Sequence, residues 1–208
     1  MLNELVERYP ILNEEKEVIK KTAETIIECY KNGGKLLICG NGGSCADAEH
    51  IVGELMKGFL EKRPLSEIKK AEMKKNCPEI PENILGNLQG ALPAIALPSF
   101  VALNSALCND VDPELIYAQS LMGLGKKGDV FLGISTSGNS KNVYAAALTA
   151  KALGLTVIGL TGIGGGKLSQ VADICIKAPE SETFKIQELH LPIYHYLCAA
   201  IEHEFFGK

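Results

Sequence analysis

The sequence predicts a doubly wound α/β fold, with a mainly parallel five-stranded sheet flanked by helices. Short apolar runs recur along the chain, and helical patterns fill the intervals between them. Such largely apolar runs are typical of strands that helices cover on both faces. Two of the runs are followed directly by polar, glycine-containing loops. These loops lie where parallel α/β proteins bind ligands, at the carboxyl ends of the strands.

The elements follow in order from the N-terminus. A long helix is expected from about Asn13 to Asn32, ended by Gly33-Gly34. A second long helix is expected at the C-terminus. Apolar runs predict five strands: LLIC from Leu36, AIAL from Ala94, VFLGI from Val130, TVIGL from Thr156 and DICIKA from Asp173. No internal repeat or low-complexity linker divides the chain, so residues 1–208 are expected to form one domain.

One segment, at about residues 65–91, departs from the alternation of strands and helices. It is rich in Lys and Glu, and Pro78 and Pro81 separate two predicted short helices. The segment is interpreted as an insertion. It is either a surface lid or oligomer contact, or a solvated insertion without functional consequence.

Composition excludes several classes of function. The net charge is −4 and no Lys/Arg run is present, so a nucleic-acid partner is not expected. The seven cysteines are odd in number and lack CxxC spacing, which indicates reduced thiols and a cytoplasmic protein. The N-terminus lacks the apolar core of a signal peptide. Pro93, Pro98 and Asn104 interrupt the longest apolar stretch, so a membrane span is not expected either.

The stretch from Leu36 to Glu54 joins a strand to a helix through the turn Gly40-Asn41-Gly42-Gly43, with the helix expected to begin at Ser44. Unpaired N–H groups at such a helix start favour an anionic or polyhydroxylated ligand. A dinucleotide fingerprint fits poorly, because Cys45 stands where its third glycine belongs. The Gly-Lys-Ser/Thr ending of a Walker loop is absent.

His50 and Glu54 lie four residues apart and therefore on one face of that helix. Such a pair can hold a metal ion or share in proton transfer. It can equally be a solvated contact between neighbouring turns. The spacing alone does not choose between these interpretations.

A second loop, Ser135-Thr136-Ser137-Gly138-Asn139-Ser140, follows the third strand and leads into a helix near Lys141. Its hydroxyls and the N–H groups of the helix start suit a phosphate, which the helix dipole also favours. An ordinary capped turn is the alternative, but the position matches that of the first loop.

The segments CGNGGSCADAEH, GISTSGNSKNV and IQELHLPIYH together resemble the SIS (sugar isomerase) domain family, and within it the sedoheptulose 7-phosphate isomerases. The resemblance covers nearly the whole chain up to His195. It implies the flavodoxin-like SIS fold and an enzyme that converts sedoheptulose 7-phosphate to D-glycero-D-manno-heptose 7-phosphate. It also implies a homotetramer with active sites at subunit interfaces.

The resemblance assigns roles by position. Glu54 and His195 match the catalytic acid/base residues, and one zinc ion per subunit is implied, with His50, Glu54, Gln187 and His195 as ligands. The implied substrate-binding residues are Asn41, Gly42, Gly43, Ser44, Glu54, Asn109, Asp110, Ser135, Thr136, Ser137, Ser140 and Gln187.

The chemistry needs groups of this kind, because ketose–aldose isomerisation moves a proton between adjacent carbons through an enediol. A zinc ion can polarise the carbonyl oxygen. Gln187 and His195, however, lie eight residues apart, which is about 12 Å in a continuous helix. Either Gln187 lies at or before the helix start, or the two ligands come from different subunits; the second arrangement is favoured.

Further expectations concern single residues and rival functions. Many relatives have Gly-Arg after the glutamate helix, where this chain has Lys57-Gly58, so Lys57 or Arg63 is expected to supply the basic contact. His190 faces away from His195 and is expected to be a packing or subunit-contact residue. The alternative functions are a non-catalytic SIS regulator that binds a sugar phosphate, and an SIS isomerase or etherase for another phosphosugar.

Overall fold

The computed structural model describes residues 1–207 and contains one five-stranded sheet. The strand order is β2-β1-β3-β4-β5, and every neighbouring pair is parallel. The strands are β1 (Leu36–Gly40), β2 (Ala94–Ala96), β3 (Val130–Ile134), β4 (Thr156–Gly162) and β5 (Ile174–Ala178). All five predicted strands are therefore present, and the predicted α/β fold is confirmed.

Helices cover both faces of the sheet. They are α1 (Leu2–Arg8), α2 (Lys16–Lys31), α3 (Gly43–Met56), α4 (Glu67–Asn76), α5 (Glu82–Asn87), α6 (Val101–Asp110), α7 (Ile116–Leu124), α8 (Lys141–Ala152), α9 (Gly166–Val171) and α10 (Thr183–Phe206). One apolar core contains α2, α3 and α10, and a second, on the opposite face, contains α7, α8 and α9. Throughout residues 1–207, no helix is both long and apolar enough to cross a bilayer.

The N-terminal helix differs from the expectation. In place of one helix from Asn13, a 3-10 turn spans Pro10–Glu15 and α2 begins at Lys16. Pro10 occupies the first position of that turn, where its missing N–H costs nothing. The helix α1 precedes it and was not predicted. The expected end is confirmed, because the N–H groups of Gly33 and Gly34 close α2 on the carbonyls of Tyr30 and Cys29.

The sheet register places the two polar loops side by side. β1 and β3 are hydrogen-bonded neighbours, and their last residues, Gly40 and Ile134, lie opposite each other. The turn after β1 and the serine-rich loop after β3 therefore leave the same edge of the sheet. α3 begins at Gly43, one residue before the predicted Ser44.

The segment at about 65–91 contains the two predicted short helices, α4 and α5, which Pro78 and Pro81 separate. Its end is tied to the loop after α3, since Gln89 Oε1 accepts from the Gly58 N–H at 2.6 Å. The Gly90 N–H also donates to the Arg63 carbonyl at 2.8 Å. The functional role of the segment stays a prediction.

Candidate active site

The turn after β1 is shaped by a close approach from α10. A Cβ on Gly43 would lie 2.4 Å from the Gln187 side-chain nitrogen, so only glycine lets this amide reach the turn. The next residue, Ser44, is buried and its N–H donates to the Asn41 carbonyl at 3.0 Å. Gln187 is thus placed against the start of α3 within one chain.

The loop after β3 is closed by its own hydroxyls. The Ser135 and Ser140 side-chain oxygens lie 3.0 Å apart, while Ser137 Oγ accepts from the Asn139 N–H at 3.1 Å. Gly138 has φ +64°, and a Cβ there would lie against the Gly165 carbonyl. Ser140 precedes α8 and makes no capping hydrogen bond within the described chain. The first N–H groups of α8 therefore retain the polarity that suits an anion.

A reciprocal amide pair joins the two loops. The Asn41 side-chain nitrogen donates to Asn142 Oδ1 at 2.8 Å, and the Asn142 nitrogen donates to Asn41 Oδ1 at 2.9 Å. Because Asn142 lies in the first turn of α8, the pair fixes the turn after β1 relative to the serine loop. We call Asn41 to Ser44, Ser135 to Ser137, Ser140 and Gln187 the loop cluster.

A second group of predicted residues lies where α3 packs beside α10. His50 Nε2 lies 3.1 Å from Glu54 Oε1, and the rings of His50 and His195 have centroids 5.0 Å apart. The Glu54 side chain is only 13% exposed, whereas that of His50 is 41% exposed. We call His50, Glu54 and His195 the helix cluster. Its members are accessible from solvent but anchored by the helix pair.

The electrostatics of the helix cluster favour a neutral His195. Burial lowers the pKa of His195, and the neighbouring charge of His50 lowers it further, while Glu54 partly opposes both. A neutral imidazole can accept a proton, so His195 is suited to proton exchange near neutral pH.

Lys57 and Arg63 have different surroundings. The Lys57 ammonium donates to Glu54 Oε2 at 3.2 Å, and its side chain is 61% exposed. The Arg63 side chain is 0% exposed and is bound to Glu202 at 2.7 Å and to the carbonyls of Leu55 and Glu54. Of the two candidates for a basic contact, only Lys57 has its charge directed at the helix cluster.

Helix geometry separates the loop cluster from the helix cluster within one chain. Gly43 and Glu54 are eleven positions apart on α3, which corresponds to about 16 Å along the axis. Gln187 is the fifth residue of α10 and lies about 12 Å from His195 along the same helix. The first alternative for Gln187, a position at or before the helix start, is therefore wrong.

Asn109 and Asp110 belong to neither cluster. Both are exposed at the end of α6, and the Asn109 amide donates to Asp110 Oδ1 at 2.7 Å. Within residues 1–207 no hydrogen bond joins them to either polar loop. Their expected place in the site stays a prediction.

The helix cluster contains side chains of the types that bind zinc. Imidazole nitrogen and carboxylate oxygen are zinc donors, and His50 Nε2 and Glu54 Oε1 point at each other. No group of three or more His, Cys, Asp or Glu residues in the described chain is arranged to hold a metal. Within one chain, therefore, only His50 and Glu54 are placed to bind the same ion. His195 is adjacent to them, and Gln187 is remote.

The structure also identifies polar residues that were not predicted. The Tyr194 hydroxyl lies 3.0 Å from His50 Nδ1 and donates to Asp47 Oδ1 at 3.2 Å. Asp47 precedes His50 by three residues, and this spacing could have marked it as a neighbour on the helix face. Tyr194 carries no such signal, since its position depends on how α3 and α10 align.

His190 packs internally, as expected. It is fully buried, and its Nε2 donates to the Thr161 carbonyl at 3.1 Å. Burial lowers the pKa of His190 to about 4, so the side chain is neutral in the folded protein.

The parallel sheet and the two adjacent loops define an α/β protein of the class that typically binds ligands at the carboxyl ends of its strands. A family model described as SIS domain matches residues 3–81 and 83–162. The chain belongs to the SIS domain family.

Its relatives in that family include phosphoheptose isomerases. That of Aneurinibacillus thermoaerophilus is 39% identical over 189 residues, which cover 91% of this chain and 82% of the relative. Phosphoheptose isomerase 2 of Campylobacter jejuni is 39% identical over 191 residues, with coverage of 92% and 82%. The solved phosphoheptose isomerase structure from Francisella tularensis superposes with a TM-score of 0.78 at 32% identity, covering 94% of this chain and 91% of that one.

Proposed function

We propose that this protein is a phosphosugar isomerase that converts sedoheptulose 7-phosphate to D-glycero-D-manno-heptose 7-phosphate. The observation that carries the proposal is a helix pair that places both Glu54 and His195 against His50, in a chain with a phosphate-type loop and phosphoheptose isomerases among its relatives. A carboxylate and a largely neutral imidazole are the two groups that an enediol mechanism requires.

In the proposed reaction, the Glu54 carboxylate removes a proton from C1 of the ketose, and an enediol forms. The proton is returned at C2, while His195 transfers a proton between the oxygens on C1 and C2. No atom is gained or lost, as an isomerisation demands. Ser135, Thr136, Ser137 and Ser140 are proposed to hold the phosphate, with the start of α8 adding its dipole.

A resident zinc ion would be held by His50 and Glu54, with His195 and Gln187 as the remaining family-type ligands, and would polarise the substrate carbonyl. The two oxygens of Glu54 have different neighbours, since Oε1 faces His50 and Oε2 faces Lys57. One oxygen can therefore serve a metal while the other stays available as a base.

We further propose that each active site is shared between subunits of a homotetramer. A seven-carbon sugar phosphate spans about 9 Å from C2 to phosphorus when extended, given bond lengths of about 1.5 Å. Within one chain, Glu54 lies about 16 Å along α3 from the glycine turn. A substrate that touches both clusters therefore needs the loop cluster of one subunit and the helix cluster of another.

The isomerase proposal is tested by incubating the purified protein with sedoheptulose 7-phosphate and zinc and following the aldose by NMR. Glu54→Gln should lower kcat by about 10²- to 10⁴-fold, because it removes the base. The same variant should keep its affinity for inorganic phosphate, since the loop cluster is untouched. Absence of turnover by the wild-type protein would refute the isomerase and leave a sugar-phosphate-binding regulator or an enzyme for another phosphosugar.

The shared site is tested by complementation between two inactive variants. Glu54→Gln disables the helix cluster, and Ser137→Asp places a negative charge in the phosphate loop. If the sites are shared, co-expressed subunits should regain about a quarter of wild-type activity, because random mixing rebuilds that share of sites. Mixed oligomers that stay inactive, with both chains present, would show that each subunit carries its own site.

We infer a cytoplasmic location from the thiols. All seven cysteines are free in the described structure, and three of them, Cys29, Cys39 and Cys198, are buried. Free thiols of this kind are typical of a reducing compartment.

A further inference from the structure

A chain of hydrogen bonds runs along the groove between α3 and α10. It begins at Asp47, whose Oδ1 lies 3.2 Å from the Tyr194 hydroxyl, and continues from that hydroxyl to His50 Nδ1 at 3.0 Å. It ends where His50 Nε2 lies 3.1 Å from Glu54 Oε1. Asp47, His50 and Glu54 occupy successive turns of one face of α3.

The middle of this series of hydrogen bonds is the hydroxyl group of Tyr194. Tyr194 is 1% exposed. A phenol keeps its proton near neutral pH, because its ordinary pKa is about 10. It has one hydrogen to donate and lone pairs with which to accept.

The partners of Tyr194 determine where that hydrogen points. A carboxylate can only accept, so the phenol donates to Asp47. Its oxygen then accepts from His50, which requires the hydrogen of a neutral imidazole to lie on Nδ1. His50 Nε2 is left with a free lone pair directed at Glu54.

We propose that Asp47 and Tyr194 are positioning residues that hold His50 as the Nδ1–H tautomer, so that Nε2 is presented as an acceptor beside Glu54. This inference deepens the proposed role of His50 and rests on it. Neither residue touches the reacting atoms; both act through the imidazole.

The consequence lies in the gap between Nε2 and Oε1. In the Nδ1–H tautomer, Nε2 and the Glu54 carboxylate face each other at 3.1 Å as two acceptors. A cation between them, either a proton or a metal ion, resolves this. Outer partners of a metal-binding histidine typically change metal affinity by about 10- to 100-fold, because they fix its tautomer and orientation.

The tautomer is measured directly by nitrogen NMR of protein labelled with ¹⁵N in its four histidines, with a His50→Gln variant for assignment. At a pH above about 8, where an ordinary imidazole is neutral, the metal-free wild type should show a protonated Nδ1 and an unprotonated Nε2 in His50. Asp47→Ala frees the phenol hydrogen to turn to Nδ1, and the tautomer should then reverse to Nε2–H. A wild-type His50 with its proton on Nε2 would overturn the proposal.

Zinc affinity gives an independent measurement, by competition with a chromophoric chelator. Tyr194→Phe should weaken zinc binding by about 10- to 100-fold, and Asp47→Ala by at least as much. Once Tyr194 is Phe, adding Asp47→Ala should change the affinity less than twofold, because the phenol through which Asp47 acts is gone. Additive losses in the double variant would contradict the proposal.

Tyr196→Phe is the matched control. Tyr196 lies two residues further along α10, is half-buried, and makes no side-chain hydrogen bond to the helix cluster in the described structure. The nitrogen NMR signals of His50 and the zinc affinity of this variant should equal those of the wild type. The two measurements also separate failures: a wild type that binds no zinc would refute the proposed metal, while the tautomer spectrum would still decide the roles of Asp47 and Tyr194.

Discussion

Replacing Arg63 by methionine is expected to lower the free energy of unfolding by about 3–5 kcal/mol, because it leaves the carboxylate of Glu202 buried without a counterion. Both side chains are 0% exposed, and their charged groups lie 2.7 Å apart. Burial alone would raise the pKa of Glu202. The N–H groups of Phe59 and Leu60, together with Arg63, outweigh burial, so the pKa lies below its ordinary value.

The magnitude follows from what each side chain holds. Arg63 donates to the carbonyls of Leu55 and Glu54 at 2.7 and 2.9 Å, at the last turn of α3. Glu202 accepts from Phe59 and Leu60 at 2.8 and 2.7 Å. Each single replacement therefore leaves a buried charge without a counterion and also leaves neutral hydrogen-bonding groups without a partner. The double replacement leaves only neutral groups without a partner. Arg63→Met with Glu202→Gln should cost about 2–3 kcal/mol less than the sum of the single changes.

The assay is urea unfolding of all four proteins at one protomer concentration, since the stability of an oligomer depends on concentration. The slope with denaturant should stay constant, so that midpoints report stability alone. Lys69 and Glu72 form an exposed pair at 3.0 Å on α4 and provide the control, for which Lys69→Met should cost less than about 1 kcal/mol. Strictly additive losses for Arg63 and Glu202 would refute the reasoning that the pair is coupled by buried charge.

Three further changes test other parts of the structure. Burial lowers the pKa of His190 to about 4, whereas the unfolded value is about 6.5, so the unfolded chain binds the proton first as the pH falls. Between about pH 6.5 and pH 4, stability should therefore fall by about 1.4 kcal/mol per pH unit, and His190→Gln should flatten that dependence in urea titrations. Gly138→Ala should lower both Tm and phosphate affinity in calorimetry, because φ is +64° and the Gly165 carbonyl fills the space that a Cβ would need. Gly123→Ala, where that space is open, should lower neither. Asn142→Ala should raise KM roughly fivefold with a smaller change in kcat, because the loss of its amide pair with Asn41 costs about 1 kcal/mol of loop alignment.

The sheet was predictable because its strands are continuous apolar runs that need no tertiary information. β1 and β3 are fully buried along their lengths, and the same burial that selects their residues also makes them recognisable in the sequence. The start of α2 was not predictable in the same way. The 3-10 turn beginning at Pro10 runs directly into the helix, so no capping residue marks the boundary at Lys16.

The candidate site was predictable as a set of residues but not as an arrangement. Spacing along α3 places His50 and Glu54 on one face, and the structure has them 3.1 Å apart. The other neighbours of His50 are Tyr194 and His195, which lie on α10, and Asp47, which stands outside the His50/Glu54 pair. Tyr194 reaches His50 only because α10 packs beside α3. The residue pattern of a single helix does not predict how it aligns with a neighbouring helix.

The same alignment governs which groups can act on one substrate. Because α3 and α10 are rigid helices, the distance from Gly43 to Glu54 and from Gln187 to His195 is fixed by the rise of the helix. No rotamer change brings the ends together. If each site is shared as proposed, one copy of this chain contributes the loop cluster and a second copy contributes the helix cluster to the same sugar phosphate. Oligomerisation is then part of the chemistry, so a variant that dissociates the subunits while leaving both clusters intact should lose kcat as completely as Glu54→Gln does.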